Sequence, residues 1–383
     1  MQSPIYFDYN ATTPCDSRVV DEMLPYFTRH FGNAASRTHA YGWLGEEAVS
    51  IGRERVARLI SSDPTEIIFT SGATEAVNLA LRGVYETYQA KGKHIITFQT
   101  EHKAVLDTCG YLEKQGATVT YLPVQSNGSP DLSLLENAIQ PDTILIAAMY
   151  ANNETGVLFP VKEIAAIAKK AAALFFSDAT QAVGKVPVDV LKDDIDLLAL
   201  SGHKIYGPKG VGALYVRRKN PRVKLSPILF GGGHEKGLRS GTLNVPGIVG
   251  LGKACEIRRL EMEQDGLRIQ QLRDQLLNGL LDLGCTNLNA DKDHLLPQVA
   301  NVSFDIPAAA QLIGQLSKYM AVSSGSACTS ASAEPSHVLK AMGLKDELAI
   351  GSIRFSLGRF TTEEEIIEGL TKIRQVVDDL QSI

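Results

Sequence analysis

From about residue 60 to residue 216 the sequence alternates short apolar runs with longer segments of helical spacing, and that alternation admits few folds. The runs at 66–70, 94–98, 118–122, 143–147, 173–176, 196–200 and 212–216 are rich in Ile, Leu, Val, Phe and Tyr. Several are apolar throughout, as strands covered on both faces must be. Helical patterns lie between them at 74–89, 103–116, 131–139 and 160–172. Upstream, Val49, Val56, Leu59 and Ile60 share helical spacing within 46–60. Such strand–helix repetition predicts crossover units and an α/β fold on a mainly parallel sheet.

After residue 250 the rhythm changes. Ile269, Leu272, Leu276, Leu280 and Leu283 predict a long amphipathic helix. A strand pattern at 299–304, a Ser/Gly-rich stretch, a strand at 352–356 and a closing helix from about 362 predict a second, smaller α+β domain. With 383 residues, 44% of them hydrophobic, the chain can bury a full-sized core. A formal net charge of −5, with no long basic run, gives no support for nucleic-acid binding. No apolar run is long enough to span a bilayer, and the first residues show no basic-then-apolar leader, so a cytoplasmic protein without membrane contact is expected. Five cysteines and no CxxC pair argue against a disulfide framework or a zinc knuckle.

Several polar residues fall where these strands end. Ser71-Gly72-Ala73-Thr74-Glu75 follows one strand and opens a helix, so it suits a phosphate cradle and equally an ordinary helix cap. His102 follows the strand 94–98, Asn153 follows 143–147, Asp178 follows 173–176 and Lys204 follows 196–200. Each alone has a plain structural reading: a capping Asp, a structural His, a solvated loop Lys. Together, four successive strand ends deliver them to one sheet edge, where open α/β sheets bind ligands. A lysine there can form a Schiff base, and a carboxylate can pair with a pyridinium nitrogen.

Three further segments stand out. Gly231-Gly-Gly-His-Glu-Lys-Gly-Leu-Arg239-Ser-Gly-Thr242 is either a flexible loop or a backbone that brings Arg239 and Thr242 to an anion. Cys328 sits among small residues in Val322-Ser-Ser-Gly-Ser-Ala-Cys328-Thr-Ser-Ala-Ser332, which predicts a mobile, exposed loop and an accessible thiolate. Arg354 interrupts an apolar strand, so it needs a carboxylate partner from protein or ligand.

Taken together, nine segments resemble the cysteine desulfurases of the NifS/IscS family, in the class V aminotransferase group of pyridoxal phosphate enzymes. They are Asp8-Tyr-Asn-Ala-Thr-Thr-Pro14, Thr70-Ser-Gly-Ala-Thr-Glu75, Thr100-Glu-His-Lys-Ala104, Asn152-Asn-Glu-Thr-Gly156, Asp178-Ala-Thr-Gln181, Ser201-Gly-His-Lys204, Arg239-Ser-Gly-Thr242, Ser323-Ser-Gly-Ser-Ala-Cys328 and Arg354. The resemblance covers nearly the whole chain. It implies a fold-type I transferase: a large domain, 15–255, with a mainly parallel seven-stranded sheet, and a smaller α+β domain, 1–14 and 256–383, carrying the catalytic cysteine. It also implies a homodimer with the active site at the subunit interface.

Carried over residue by residue, the resemblance makes Lys204 the covalent holder of pyridoxal 5'-phosphate and Asp178 the partner of its ring nitrogen. His102 would stack on the ring and handle protons, and Gln181 and Asn153 would contact its O3′ side. Ala73, Thr74, Ser201 and His203 would hold the phosphate, joined by Thr242 of the partner subunit. Arg354, with Asn153, would hold the substrate carboxylate. The implied reaction turns L-cysteine into L-alanine and leaves a persulfide on Cys328. That sulfur passes to an acceptor, chiefly an iron–sulfur scaffold protein, and a transient iron–sulfur contact through Cys328 is the one metal contact implied. The chain departs from the family pattern at Pro307-Ala308-Ala309-Ala310, and it ends at Ile383, short of the housekeeping members' scaffold-docking extension. A selenocysteine lyase or another class V enzyme shares the fold, but an aminotransferase has little need of Cys328. A noncatalytic sulfur carrier needs Cys328 but not Lys204, Asp178 and His102 together.

Overall fold

Each of the seven apolar runs between 66 and 216 is a strand. The computed structural model describes residues 4–324 and 335–382; Cys328, with the mobile loop expected around it, lies outside the described residues. In chain order the strands are β1 (Ile5–Tyr6), β2 (Ile67–Thr70), β3 (His94–Phe98), β4 (Thr118–Leu122), β5 (Thr143–Ala147), β6 (Leu174–Asp178), β7 (Leu197–Ser201), β8 (Gly212–Val216), β9 (Thr286–Leu288), β10 (Val299–Phe304), β11 (Met320–Ala321) and β12 (Ser352–Ser356). The main sheet has the order β2-β8-β7-β6-β5-β3-β4. Only β8 runs against its neighbours, pairing antiparallel with both β2 and β7.

Strand pleating sends successive side chains to opposite faces, and both faces are covered. Ile96, Ile146, Leu198 and Tyr215 join one buried cluster, while Ile95, Leu145, Leu197 and Leu214 join the other. The crossover helices Ala73–Tyr88, Lys103–Lys114, Leu132–Asn137 and Val161–Lys170 supply the cover. This is why the runs read as apolar throughout.

The helix expected around 269–283 is the second half of a 37-residue helix, Val245–Leu281, and Leu283 falls past its end. Its first half packs on the helix Ala40–Leu59. A Cβ on Gly252 would lie 2.7 Å from the Cα of Gly52, so the two backbones touch there. Small residues at this crossing hide the helical period from a reading based on large apolar side chains. The C-terminal strands form a three-stranded antiparallel sheet of order β12-β10-β9, and β1 pairs parallel with β11. Phe7, Leu276, Phe304, Phe355 and Ile373 share a core there. Among the described residues no helix is long and apolar enough to cross a membrane.

Candidate active site

The carboxyl ends of β2, β3, β5, β6 and β7 surround a cavity of about 570 Å³. Ala73, Thr74, His102, Asn153, Asp178 and Gln181 line it, as do Ser201, His203, Lys204 and Arg354. Thr242 does not; it is exposed on its own chain. Arg239 is not open to an anion, because its Nε donates to Glu75 Oε1 at 2.7 Å.

The wall at β2 is a helix start. Gly72 caps the helix Ala73–Tyr88 without a side-chain bond, which leaves first-turn N–H groups without intrahelical partners at the cavity edge. The loop sits hard against β8: a Cβ on Gly212 would come within 2.8 Å of the Gly72 Cα. Only glycine at 212 allows that approach.

β6 ends on Asp178, which is 7% exposed. Its Oδ1 accepts from the Thr180 N–H at 3.0 Å, leaving the other oxygen for a donor in the cavity. His102 caps the helix Lys103–Lys114, its Nδ1 accepting from the Ala104 N–H at 3.1 Å. An accepting nitrogen bears no proton, so the ring carries its proton on Nε2.

Lys204 ends a single helical turn after β7, and its Nζ donates to the carbonyls of Asn10 at 2.5 Å and Ala11 at 2.8 Å. The N-terminal segment is thus part of the site, a feature the strand-end argument does not reach. It is stitched to the lysine turn by Thr13 N–H to the His203 carbonyl at 2.9 Å and Tyr206 N–H to Thr13 Oγ1 at 2.8 Å. Asn10 is the hub. Its carbonyl also accepts from Gln181 Nε2 at 3.0 Å, and its Nδ2 donates to the Asn153 carbonyl at 3.0 Å.

Arg354 is 2% exposed and lies between three chain segments. Its Nη2 donates to Asp8 Oδ1 at 2.7 Å and its Nη1 to the Asn153 carbonyl at 2.9 Å, while Nε is buried without a hydrogen-bond partner among the described residues. The carboxylate it needs is therefore supplied at least in part by the protein, and the guanidinium still borders the cavity.

Burial sets the electrostatics. Glu101, fully buried, has its carboxyl pushed well above the usual range, by loss of water and then by the nearby charge of Asp178. Its Oε1 accepts the Met149 N–H at 2.6 Å. His203 is held down to about 4, first by burial and then by the positive charges of Lys204, Lys209 and Lys185. In the unfolded chain it titrates near 6.5, so between these values the unfolded state binds the extra proton and stability falls as pH drops. The urea midpoint of a His203→Asn variant is expected to fall less than that of wild type over this window. Parallel declines would show that His203 is not the group responsible.

The model of the aminotransferase class-V family matches residues 5–368. The chain belongs to that family. Within it, the chain is 55% identical to the cysteine desulfurase IscS of Anaeromyxobacter dehalogenans (strain 2CP-C), covering 96% of this chain and 90% of the relative. It is 54% identical to the IscS of Edwardsiella ictaluri (strain 93-146), covering 100% and 95%. Among solved structures, a NifS-like protein superposes with a TM-score of 0.92 at 40% identity, over 99% of this chain and 100% of that one. SspA in complex with cysteine superposes at 0.81 with 36% identity, over 94% and 100%.

As a class-V enzyme the protein depends on pyridoxal phosphate, and the cavity residues fit that group. An uncapped helix start suits its phosphate, a buried carboxylate its ring nitrogen and a cavity-facing lysine its aldehyde. Among the described residues no cluster of three or more His, Cys, Asp or Glu side chains is placed to hold a metal ion.

Proposed function

We propose that this protein is a cysteine desulfurase that moves the sulfur of L-cysteine onto Cys328, releases L-alanine, and supplies the sulfur chiefly to iron–sulfur cluster assembly. The observation that carries the reading is the meeting of Lys204, Asp178, His102 and Arg354 in one cavity of a class-V fold. Pyridoxal phosphate, when bound, supplies an electron-accepting ring for the pair released when the α-proton leaves. Lys204 holds the cofactor and then takes that proton. Asp178 keeps the ring nitrogen protonated, and His102 offers Nε2–H to the reacting groups. Ala73, Thr74, Ser201 and neutral His203 hold the phosphate; Asn153 and Gln181 face the ring oxygen. Arg354, with Asn153, receives the substrate carboxylate.

The Cys328 thiolate attacks the substrate sulfur. An S–S bond forms as the C–S bond breaks, its electron pair stays with the substrate carbon, and protonation there, with a proton returned to the α-carbon from Lys204, yields alanine. Burial raises the thiol pKa of Cys15, Cys109, Cys255 and Cys285, with Cys109 and Cys255 at about 12, so none of these four is an activated nucleophile. The described residues that flank Cys328 are tied to the site. Ser323 exchanges backbone hydrogen bonds with Arg354 (3.3 and 2.7 Å), and Ser336 Oγ donates to Glu154 Oε2 at 2.5 Å.

The assembly in this proposal is a homodimer, with Thr242 of the partner subunit completing the phosphate site. The exposed Tyr41, Trp43 and Leu44 on one helix suit burial against a second copy. Residues 15–255 form the large domain, and 1–14 with 256–383 the small one. The long helix changes core between Ile257 and Ile269, which favours that division. The sulfur acceptor is a scaffold protein and the compartment the cytoplasm.

Incubation of the holoenzyme with L-cysteine tests the reading. Alanine is expected with or without reductant, and free sulfide chiefly with it. Absence of alanine in both would sink the desulfurase assignment.

A further inference from the structure

Lys185 follows the Asp178-Ala-Thr-Gln181 motif and has no place in the reaction above. Its Nζ donates to Gln181 Oε1 at 2.5 Å. Gln181 Nε2 donates to the Asn10 carbonyl at 3.0 Å, and the same carbonyl accepts from Lys204 Nζ at 2.5 Å. Two lysines are thus linked by three consecutive hydrogen bonds, with one amide side chain between them.

An amide can face either way, and what it donates to or accepts from decides which. The Asn10 carbonyl can only accept, so it takes the Gln181 NH2, and the Lys185 amine donates to the Gln181 carbonyl on the other side. The lysine stem also borders a second, small cavity of about 20 Å³, shared with Tyr9, Tyr206, Arg258 and Gln298. Burial, then the positive charges of Lys204, Arg354 and Arg258, hold Lys185 well below the ordinary lysine range. The residue keeps a solvent-accessible edge, but the shift follows the surroundings of its amine. A lysine in such a place is costly and calls for a role.

We propose that Lys185 is a positioning residue for the desulfurase reaction: it holds the Gln181 amide with its NH2 on the Asn10 carbonyl, the acceptor that Gln181 shares with the Lys204 amine. The inference rests on the assignment of Lys204 as the cofactor-holding base. Without Lys185, Gln181 Oε1 loses its donor, the amide is free to turn, and the Asn10 carbonyl loses the Gln181 donor that competes with Lys204 for it. A carbonyl no longer shared with that donor favours the protonated amine, and any charge removed at 185 acts in the same direction. Lys204 then becomes a poorer proton acceptor at neutral pH.

The test is competitive amine labelling of the cofactor-free protein across pH, with Lys204 read by mass spectrometry. In Lys185→Met the Lys204 pKa is expected to rise by about one unit. In Lys185→Arg, which keeps a donor and has the small cavity to accommodate it, the wild-type value is expected. In a Gln181→Met background, Lys185→Met is expected to shift the Lys204 pKa clearly less, because the linking amide is gone and only any charge at 185 remains to act. In the holoenzyme the Lys185→Met variant loses about tenfold in kcat at neutral pH, recovers at higher pH, and keeps its KM. An unchanged Lys204 pKa in Lys185→Met, or an equal shift in the Gln181→Met background, overturns the proposal. Should wild type release no alanine, the desulfurase reading falls, while the labelling result still decides the coupling of the two lysines.

Discussion

A Lys204→Ala variant is expected to lose at least about 10⁴-fold in alanine formation, together with the visible absorbance band of the bound cofactor. On the proposed assignment two roles end with one side chain: the covalent hold on pyridoxal phosphate and the base that takes the α-proton. The fold should survive. Lys204 ends a single helical turn, and the Asn10 and Ala11 carbonyls it leaves border a cavity that water can enter. Thermal unfolding should therefore move little while activity collapses. The two readouts separate the roles: a retained band with lost activity would leave Lys204 as base only, and a retained band with retained activity would remove it from the site.

The site's strand-end residues were legible because buried parallel strands announce themselves. β3, β5, β6 and β7 are apolar enough to be located to within two residues, and His102, Asn153, Asp178 and Lys204 follow their ends in order. The N-terminal contribution was not legible from spacing. Asn10 and Ala11 meet Lys204 across more than 190 residues of chain, and nothing periodic marks a loop that crosses a sheet edge. Lys185 was hidden for another reason: a lysine two residues before a proline reads as surface, and only the fold turns its amine inward. Arg354 was rightly read as needing a carboxylate, but Asp8 lies 346 residues away and is recognisable as its partner only in three dimensions. The long helix showed only its C-terminal half, since the half that meets the helix Ala40–Leu59 mixes glycines with its large apolar side chains at the crossing. Local pattern locates elements; which distant groups share a hydrogen bond is decided by packing that no local pattern records.

A Cys328→Ser variant should bind L-cysteine and show the cofactor's spectral response to it, yet form no protein persulfide, with alanine release down by about 10⁴-fold. The expected defect lies after substrate binding because the groups proposed to bind are elsewhere: Arg354, Asn153 and Lys204 line the cavity. Serine is a sound replacement for this purpose. It is close in size to cysteine, but its hydroxyl stays protonated near neutral pH and is a poor nucleophile toward sulfur. No other described cysteine can take over. Burial has raised the thiol pKa of Cys15, Cys109, Cys255 and Cys285, which removes the thiolate that attack requires. Trapping with an alkylating reagent after one turnover, followed by peptide mapping, would place the extra sulfur on residue 328 in wild type and on no cysteine in the variant. A persulfide found on one of the other four would relocate the acceptor. Normal alanine release without any persulfide would mean that the sulfur leaves by a route needing no protein thiol, and the chemistry would then be that of a lyase rather than of a sulfur transferase.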